Sequence, residues 1–187
     1  MPIESEAIEQ ELLAIRCQLG EIAAFDELVA RWHAPMWQYV RRMADQNELA
    51  DELIQETWLR VLRGIAGLRE PSRLVPWMFG IARHVMMDRL RQKYRQEALL
   101  ENALDDLTAP ADEVDEHERR DNIANVLDKL ENLPLPQREL LTLYYLDELS
   151  IEEVGQVLGV PAGTVKSRLF HARRVLKQSL LTKETTR

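Results

Sequence analysis

The chain has 187 residues, of which 24 are lysine or arginine and 32 are aspartate or glutamate, giving a formal net charge of −8. This length allows one or two small domains and excludes a large multidomain enzyme. Hydrophobic residues make up 45% of the chain and charged residues 30%, a balance that supports packed cores. Because only seven glycines and eight prolines interrupt stretches rich in leucine, glutamate, arginine, glutamine and alanine, we predict an all-α protein.

The chain offers few ligands for a metal. Cys17 is the single cysteine, which excludes an internal disulfide and a cysteine-based zinc cluster, and the four histidines show no ligand-like spacing. We therefore expect no metal and no cofactor, and a packing role for Cys17 rather than a redox role. The acidic N-terminus and the lack of an apolar run of about 18 residues predict a cytoplasmic, soluble protein without membrane insertion.

Two amphipathic helices are predicted in the first part of the chain. Apolar residues recur at three- and four-residue spacing between Phe25 and Val40, which predicts a helix that buries one stripe and bends at Pro35. The next segment repeats this pattern, and its predicted buried face consists of Leu49, Leu53, Ile54, Thr57, Trp58, Val61 and Leu62.

The outward face of the second helix is the first candidate site. Glu52 and Glu56 lie one helical turn apart and flank an exposed Leu59, with Gln55 and Arg63 beside them. This pattern suits a protein-docking surface, and it also fits an ordinary solvated face that carries one leucine. A catalytic carboxylate pair is set aside because no nucleophile, apolar pocket or cluster of metal ligands accompanies the two residues.

A loop then leads into a strongly basic helix. The loop GIAGLREPSRLVP carries Arg69 and Arg73, and a helical pattern resumes at Trp77 and Phe79. The cations of this helix are Arg83, Arg89, Arg91, Lys93 and Arg95. Cations with aromatic residues at the helix entry suit a distorted or single-stranded nucleic acid, although such aromatic residues more often anchor a loop in the core.

Charge is segregated along the chain. Residues 1–59 carry 12 acids and 4 bases, residues 60–95 carry 2 acids and 9 bases, and residues 96–131 carry 12 acids and 3 bases. Residues 154–183 carry six bases and no acid, so two separate basic segments predict two contacts with a phosphate backbone. The acidic stretch 97–119 lacks an apolar period and is predicted to be a flexible linker between helical domains 1–96 and 120–187.

The second domain contains a helix-turn-helix pattern. Ser150 and Glu153 form a capping box, Gly159 suits the end of that helix, and Thr164 is placed to cap a basic helix over about 165–180. The second helix of such a pair enters the major groove of DNA. Its predicted outward residues are Thr164, Lys166, Ser167, Arg168, His171 and Arg174, with Arg173 and Lys177 placed to meet phosphates.

Three stretches carry a family resemblance: LADELIQETWLRVLRGI, PWMFGIARHVMMDRLRQ and LPLPQRELLTLYYLDELSIEEVGQVLGVPAGTVKSRLFHARRVLK. Together they resemble the extracytoplasmic-function (ECF) group of bacterial sigma factors of the sigma-70 family, over roughly residues 20–95 and 120–178. The resemblance implies two helical domains, called regions 2 and 4, that bind the RNA polymerase core.

The resemblance also implies roles for individual residues. Docking on the polymerase clamp would fall to Asp51, Glu52, Gln55, Glu56 and Leu59. Contact with the melted −10 promoter element would fall to Arg69, Arg73, Trp77, Arg83, His84, Arg89, Arg91 and Lys93. Contact with the duplex −35 element would fall to Thr164, Lys166, Ser167, Arg168, His171, Arg173 and Arg174. Family members commonly carry asparagine where this chain has His84.

The implied function is that of a promoter-specificity subunit, which positions polymerase rather than acting as an enzyme, and which an anti-sigma protein usually holds inactive. A stand-alone helix-turn-helix regulator is the first alternative, but it has no need of the DELIQE face or the basic loop and helix. A small nuclease is the second, and it would require clustered acidic and histidine ligands that the sequence does not show.

Overall fold

The computed structural model describes residues 2–44, 47–101 and 121–181, with side chains over 6–44, 47–92 and 125–180. Helices make up the described chain, no strand occurs in it, and the all-α prediction is confirmed. The helices are α1 (Pro2–Gln18), α2 (Ile22–Met43), α3 (Asn47–Gly64), α4 (Leu74–Glu101), α5 (Asp121–Glu131), α6 (Leu135–Tyr145), α7 (Ile151–Leu158) and α8 (Ala162–Leu181), with two 3₁₀ turns at Ile65–Gly67 and Pro71–Arg73. Most of the predicted linker, residues 102–119, lies outside the described residues.

Helices α1 to α4 pack around a core centred on α2 and α4. Phe79 is fully buried and meets Tyr39 and Trp32 edge to face, at centroid distances of 5.4 and 6.3 Å. Phe79 is therefore a core residue and not a surface for stacking bases. Leu62 was predicted to be buried on α3, but it is 53% exposed.

The basic helix is longer than its sequence pattern indicated. Helix α4 begins at Leu74, so the predicted loop consists mainly of two 3₁₀ turns and the first turn of α4. Pro76 lies in that first turn, where backbone N–H groups make no hydrogen bond within the helix. Proline, which lacks this N–H, is therefore tolerated there. At its other end α4 continues to Glu101, past the predicted end of the first domain at residue 96.

Helices α5 to α8 form the second helical unit, in which α7 and α8 are the helix-turn-helix. The capping box is present, since Glu153 N donates to Ser150 Oγ at 3.2 Å and Ser150 N donates to Glu153 Oε2 at 2.8 Å. Gly159 ends α7 in the left-handed conformation, with φ of 68°. These local features confirm the predicted boundaries of α7.

The start of α8 differs from the prediction. The helix begins at Ala162, and Thr164 lies within its first turn rather than capping it. The carbonyl of Pro161 accepts hydrogen bonds from Thr164 N at 2.9 Å and Val165 N at 3.1 Å, so Pro161 supplies the first helical acceptor. The proline ring fixes φ near the helical value, which favours this earlier start.

The two helical units pack against each other through α4 with α7 and α2 with α6. Glu139 of α6 is only 3% exposed at this junction. Its Oε1 accepts hydrogen bonds from Tyr39 Oη at 2.8 Å and Arg83 Nε at 3.0 Å. A buried carboxylate from the second unit is thus held by two side chains of the first.

Candidate protein-docking and nucleic-acid interfaces

The outward face of α3 is a single acidic surface around an exposed leucine. Asp51, Glu52, Gln55 and Leu59 are exposed and Glu56 is half-buried. The structure thus brings together the five residues predicted to dock on polymerase.

Ion pairs link this face to α4. Arg60 donates to Glu56 at 2.8 Å and lies 3.6 Å from Asp88 of α4, and these carboxylates raise the pKa of the Arg60 guanidinium. Arg89 lies 3.9 Å from Glu52. Because these groups are largely exposed, the pairs orient the side chains more than they stabilise the fold.

A groove between α2 and α3 lies beside this acidic face. It has a volume of about 390 Å³ and is lined by His33, Ala34, Trp37, Gln38, Asp51, Ile54 and Gln55. Trp37 Nε1 donates to Asp51 Oδ1 at 2.7 Å, and Trp58 Nε1 donates to His33 Nδ1 at 3.1 Å. The sequence pattern of α2 had marked only its buried stripe, so the contribution of α2 to this groove was missed.

Four of the residues predicted to contact the −10 element line one groove beside the 3₁₀ turns. This groove of about 510 Å³ includes Arg69, Arg73, Trp77 and His84, and Gln156 of α7 borders it. The Trp77 ring packs against Gly64, where an added Cβ would come within 3.2 Å of it. Trp77 therefore anchors the loop while keeping part of its ring exposed.

The polar groups of this groove are held by local contacts. Arg73 pairs with Glu70 at 2.8 Å, and His84 Nδ1 lies 2.6 Å from the carbonyl oxygen of Gly80. These contacts orient the Arg73 guanidinium and the His84 ring at the groove.

Three other predicted −10 cations, Arg83, Arg89 and Arg91, do not line this groove. Arg83 is turned to the buried Glu139 of the second unit. Arg89 lies on the side of α4 that faces Glu52, and Arg91 is 75% exposed next to Asp88 at 3.4 Å. Lys93 belongs to α4, but its side chain lies outside the described residues.

The residues of α8 that were predicted to contact DNA lie mostly on its solvent-exposed side. The inward side chains Val165, Leu169 and Ala172 are buried. Lys166, Ser167, Arg168, His171, Arg173 and Arg174 are exposed and Thr164 is half-buried. Ser167 Oγ donates to the Thr164 carbonyl at 3.0 Å, so its hydroxyl is partly committed to the helix backbone.

Two aromatic features of α8 and its neighbour were missed from the sequence. Phe170 is 64% exposed on the outward side of α8 and lies edge to face with His171 at 5.5 Å. The Arg173 guanidinium lies 5.5 Å from the Tyr144 ring centroid and 5.3 Å from that of Tyr145. Arg173 is therefore held by cation–π contacts rather than extended toward a phosphate.

Buried polar groups cluster where the two units meet. Burial, together with the neighbouring Glu139 carboxylate, raises the pKa of Tyr39 well above its ordinary value. Burial also raises the pKa of Asp147 to about 7, and Arg42 partly opposes this shift. Within the described part of the chain no cluster of metal-ligating residues occurs, and none of the helices searched is long and apolar enough to cross a bilayer.

An all-α chain with an exposed acidic face and a helix-turn-helix is typical of a helical DNA-binding protein that also engages a protein partner. Family models agree with this class: residues 28–96 match Sigma-70 region 2, and residues 123–176 match Sigma-70, region 4. The chain is 30% identical to the ECF RNA polymerase sigma factor SigM of Bacillus subtilis, over 81% of this chain and 92% of SigM. It is 31% identical to the RNA polymerase sigma factor CarQ of Myxococcus xanthus, over 86% of this chain and 91% of CarQ.

Solved structures share the fold. CnrH in complex with the cytosolic domain of CnrY superposes with a TM-score of 0.67 at 24% identity, over 92% of this chain and 97% of that one. The sigma factor RpoE in complex with the anti-sigma factor NepR from Bartonella quintana superposes with a TM-score of 0.68 at 20% identity, over 89% of this chain and 100% of that chain. The chain belongs to the ECF group of the sigma-70 family of RNA polymerase sigma factors. Sigma factors give bacterial RNA polymerase its promoter specificity.

Proposed function

We propose that residues 1–96 act as region 2, residues 120–187 act as region 4, and the acidic segment 97–119 links them. Region 2 binds the polymerase core through α3 and holds the melted −10 element, and region 4 reads the duplex −35 element through α8. The grouping of five predicted docking residues on one acidic face of α3 carries this proposal.

Promoter melting needs contacts that favour the separated strand. Arg69, Arg73, Trp77 and His84 provide cations and a partly exposed ring along one groove, which suits a flipped or single-stranded base. Unpairing costs a few kcal/mol per base step, an amount that a small number of stacking and phosphate contacts offsets. The chain contributes binding energy and performs no bond-making chemistry, so we propose that it is not an enzyme.

Reading of the −35 element is assigned to α8. Lys166, Arg168 and Arg174 are exposed along one helix, and arginine or lysine bonds guanine O6 and N7 in the major groove. Arg173 is the exception within the predicted set, because its guanidinium stacks on two tyrosines.

An anti-sigma protein is proposed as the regulator. RpoE, which shares this fold, was solved in complex with the anti-sigma factor NepR. A partner of that kind would hold this chain inactive by covering the α3 face and α8. Action on polymerase and promoter DNA places the chain in the cytoplasm.

Core binding is the step to test first. A Glu52→Arg, Glu56→Arg double variant reverses the charge of the α3 face and should abolish co-elution with bacterial core RNA polymerase in gel filtration. An Asp26→Arg, Glu131→Arg variant makes the same change in net charge at exposed positions elsewhere and should co-elute like wild type. If wild type fails to bind core while the free chain binds duplex DNA specifically, the chain is a stand-alone regulator and the proposal is wrong.

A further inference from the structure

The loop between α3 and α4 is held by a side chain of α1. We call residues 65–73 the 3₁₀ loop, because they consist of the two 3₁₀ turns and the residues between them. Gln18 is the last residue of α1, and its Nε2 donates to the carbonyl oxygens of Ile65 at 3.2 Å and Leu68 at 2.6 Å. A primary amide has two N–H groups, so Gln18 serves both carbonyls at once. Helix α1 also packs against both 3₁₀ turns.

The two carbonyls mark the ends of the first turn of the loop. Leu68 N donates to the Ile65 carbonyl at 3.1 Å, which closes this turn. The Ile65 side chain is buried, so the start of the loop is fixed by packing as well. Among the described residues no backbone N–H donates to the Leu68 carbonyl, and the Gln18 amide is its partner. Gln18 therefore fixes the end of the turn, where the Leu68 side chain is only half-buried.

The end of this turn leads directly into the groove assigned to the −10 element. Leu68, Arg69 and Arg73 of the loop line this groove together with Trp77 of α4. The Leu68 carbonyl and the Arg69 nitrogen belong to one planar peptide group, so holding the carbonyl oxygen orients the backbone that carries the Arg69 side chain. Gln18 itself does not line the groove. Its effect on the groove is therefore indirect and passes through the loop backbone.

The other contacts of the loop do not replace the Gln18 amide. The residues just after the loop, Leu74 and Val75, are buried, so the far end of the loop is fixed by packing. Inside the loop, Arg73 pairs with Glu70 at 2.8 Å, but both side chains are more than half exposed and such a pair contributes little. The middle of the loop thus depends on Gln18 for its position.

We infer that Gln18 is a positioning residue for the −10 element, and that by holding the 3₁₀ loop it sets the groove in which an unpaired base is selected. This inference rests on the proposed function, because it requires that the groove take the melted −10 element. Groups that recognise a ligand must be held within about 0.5 Å of their working positions, which needs support from residues behind them. Loss of the Gln18 amide should therefore relax selection among −10 sequences, while core docking and −35 reading continue.

The alternative is that Gln18 only satisfies two loop carbonyls and contributes to stability. Both roles predict a lower unfolding temperature when the amide is removed. Only the positioning role predicts a loss of sequence selection that is confined to the −10 element.

The test uses holoenzyme reconstituted from the full-length chain and bacterial core RNA polymerase. The DNA probe is a duplex library with randomised −35 and −10 elements, and a heparin challenge retains the molecules that are held in open complexes. Sequencing gives the enrichment of the preferred base over the other bases at each position. Gln18→Met keeps the side-chain length without an N–H donor, and it should lower enrichment in the −10 element about threefold or more, as expected for lost hydrogen bonds. Enrichment in the −35 element should stay within about twofold of wild type.

Two further variants control for side-chain shape and for a general effect on α1. Gln18→Lys keeps N–H donors within reach of the two carbonyls and should retain most of the −10 selection. An added charge that met phosphate would raise binding without restoring selection, because phosphate contacts carry no sequence information. Gln10→Met makes the same change as Gln18→Met at a half-buried glutamine about 12 Å away along α1, and it should select like wild type. Thermal unfolding of each variant measures its effect on stability.

The outcomes separate this inference from the proposed function. Wild-type −10 enrichment in Gln18→Met overturns the inference and leaves the proposed function standing. An equal fall in −35 and −10 enrichment, with a lower unfolding temperature, would mean that Gln18 serves stability alone, and the inference is equally wrong. If Gln18→Lys selects as poorly as Gln18→Met, the hydrogen bonds to the loop are not the cause and the inference is also overturned. If wild-type holoenzyme enriches no −10 sequence, the proposed function fails and the inference fails with it.

Discussion

Gly155 of α7 is a position where the surrounding backbone leaves no room for a side chain. A Cβ on Gly155 would lie 2.8 Å from the Val160 carbonyl oxygen, because the turn between α7 and α8 folds directly over this position. Gly155→Ala should therefore destabilise the helix-turn-helix by about 1–3 kcal/mol, which urea unfolding followed by circular dichroism would measure. Gly163 of α8 faces open space, so Gly163→Ala is the matched control and should stabilise by about 0.5–1 kcal/mol. Equal stability of the Gly155 variant and wild type would contradict this packing.

Asp147 is expected to make stability depend on pH. Its pKa rises from 3.8 to about 7 because it is buried, so between these values the folded state holds a proton that the unfolded state has released. The stability contributed by this group is complete below about pH 4 and is lost as the pH rises through about 7.

Asp147→Asn mimics the protonated side chain and removes this dependence. Wild type should therefore lose stability relative to the Asn variant between about pH 4 and pH 7, as followed by thermal unfolding across that range. Parallel stability curves for the two proteins would contradict a buried, protonated Asp147.

Among the helices, α7 was the most predictable element and α4 the least. The ends of α7 are set by contacts within a few residues, which involve Ser150, Glu153 and Gly159. The sequence alone therefore predicts where this helix begins and ends. The start of α8 was misplaced because threonine is a common helix-capping residue, which made Thr164 look like the cap. In the fold, the Pro161 carbonyl accepts the first hydrogen bonds of α8, so the helix begins earlier. The partner of Arg83 was not predictable from the sequence, because Glu139 is 56 residues away along the chain. Arginine and glutamate side chains also normally lie in solvent rather than at a buried junction.

Two neighbouring arginines of α8, Arg173 and Arg174, allow a packing role to be distinguished from a role in DNA contact. Arg173 lies over the Tyr144 and Tyr145 rings, so Arg173→Ala should cost about 0.5–1 kcal/mol of stability. Arg174 is exposed without such a contact, and Arg174→Ala should leave stability nearly unchanged while weakening −35 binding by the holoenzyme. Urea unfolding and promoter binding at several salt concentrations measure the two effects. A stability loss in the Arg174 variant equal to that in the Arg173 variant would contradict this division.

At the scale of the whole molecule, the two units meet around the buried Glu139. Its partners, Tyr39 and Arg83, both come from the first unit, and the pair involving Arg83 is largely removed from water. Removing one member of such a pair leaves the other charge buried without compensation. The same contact turns Arg83 away from the groove lined by Arg69, Trp77 and His84.

Glu139→Ala should therefore weaken the packing between the two units. Loss of a buried, hydrogen-bonded pair costs about 3–5 kcal/mol when one partner is left behind, and separating the units returns Arg83 and the Tyr39 hydroxyl to water. Small-angle X-ray scattering of the free chain should then show a larger radius of gyration. Glu131→Ala removes an exposed carboxylate of α5 and should leave the radius unchanged. Tyr39→Phe deletes one hydrogen bond while keeping the Arg83 pair, and we expect a smaller effect from it. A compact Glu139→Ala chain with wild-type thermal stability would mean that apolar contacts between α4 and α7 alone hold the units together.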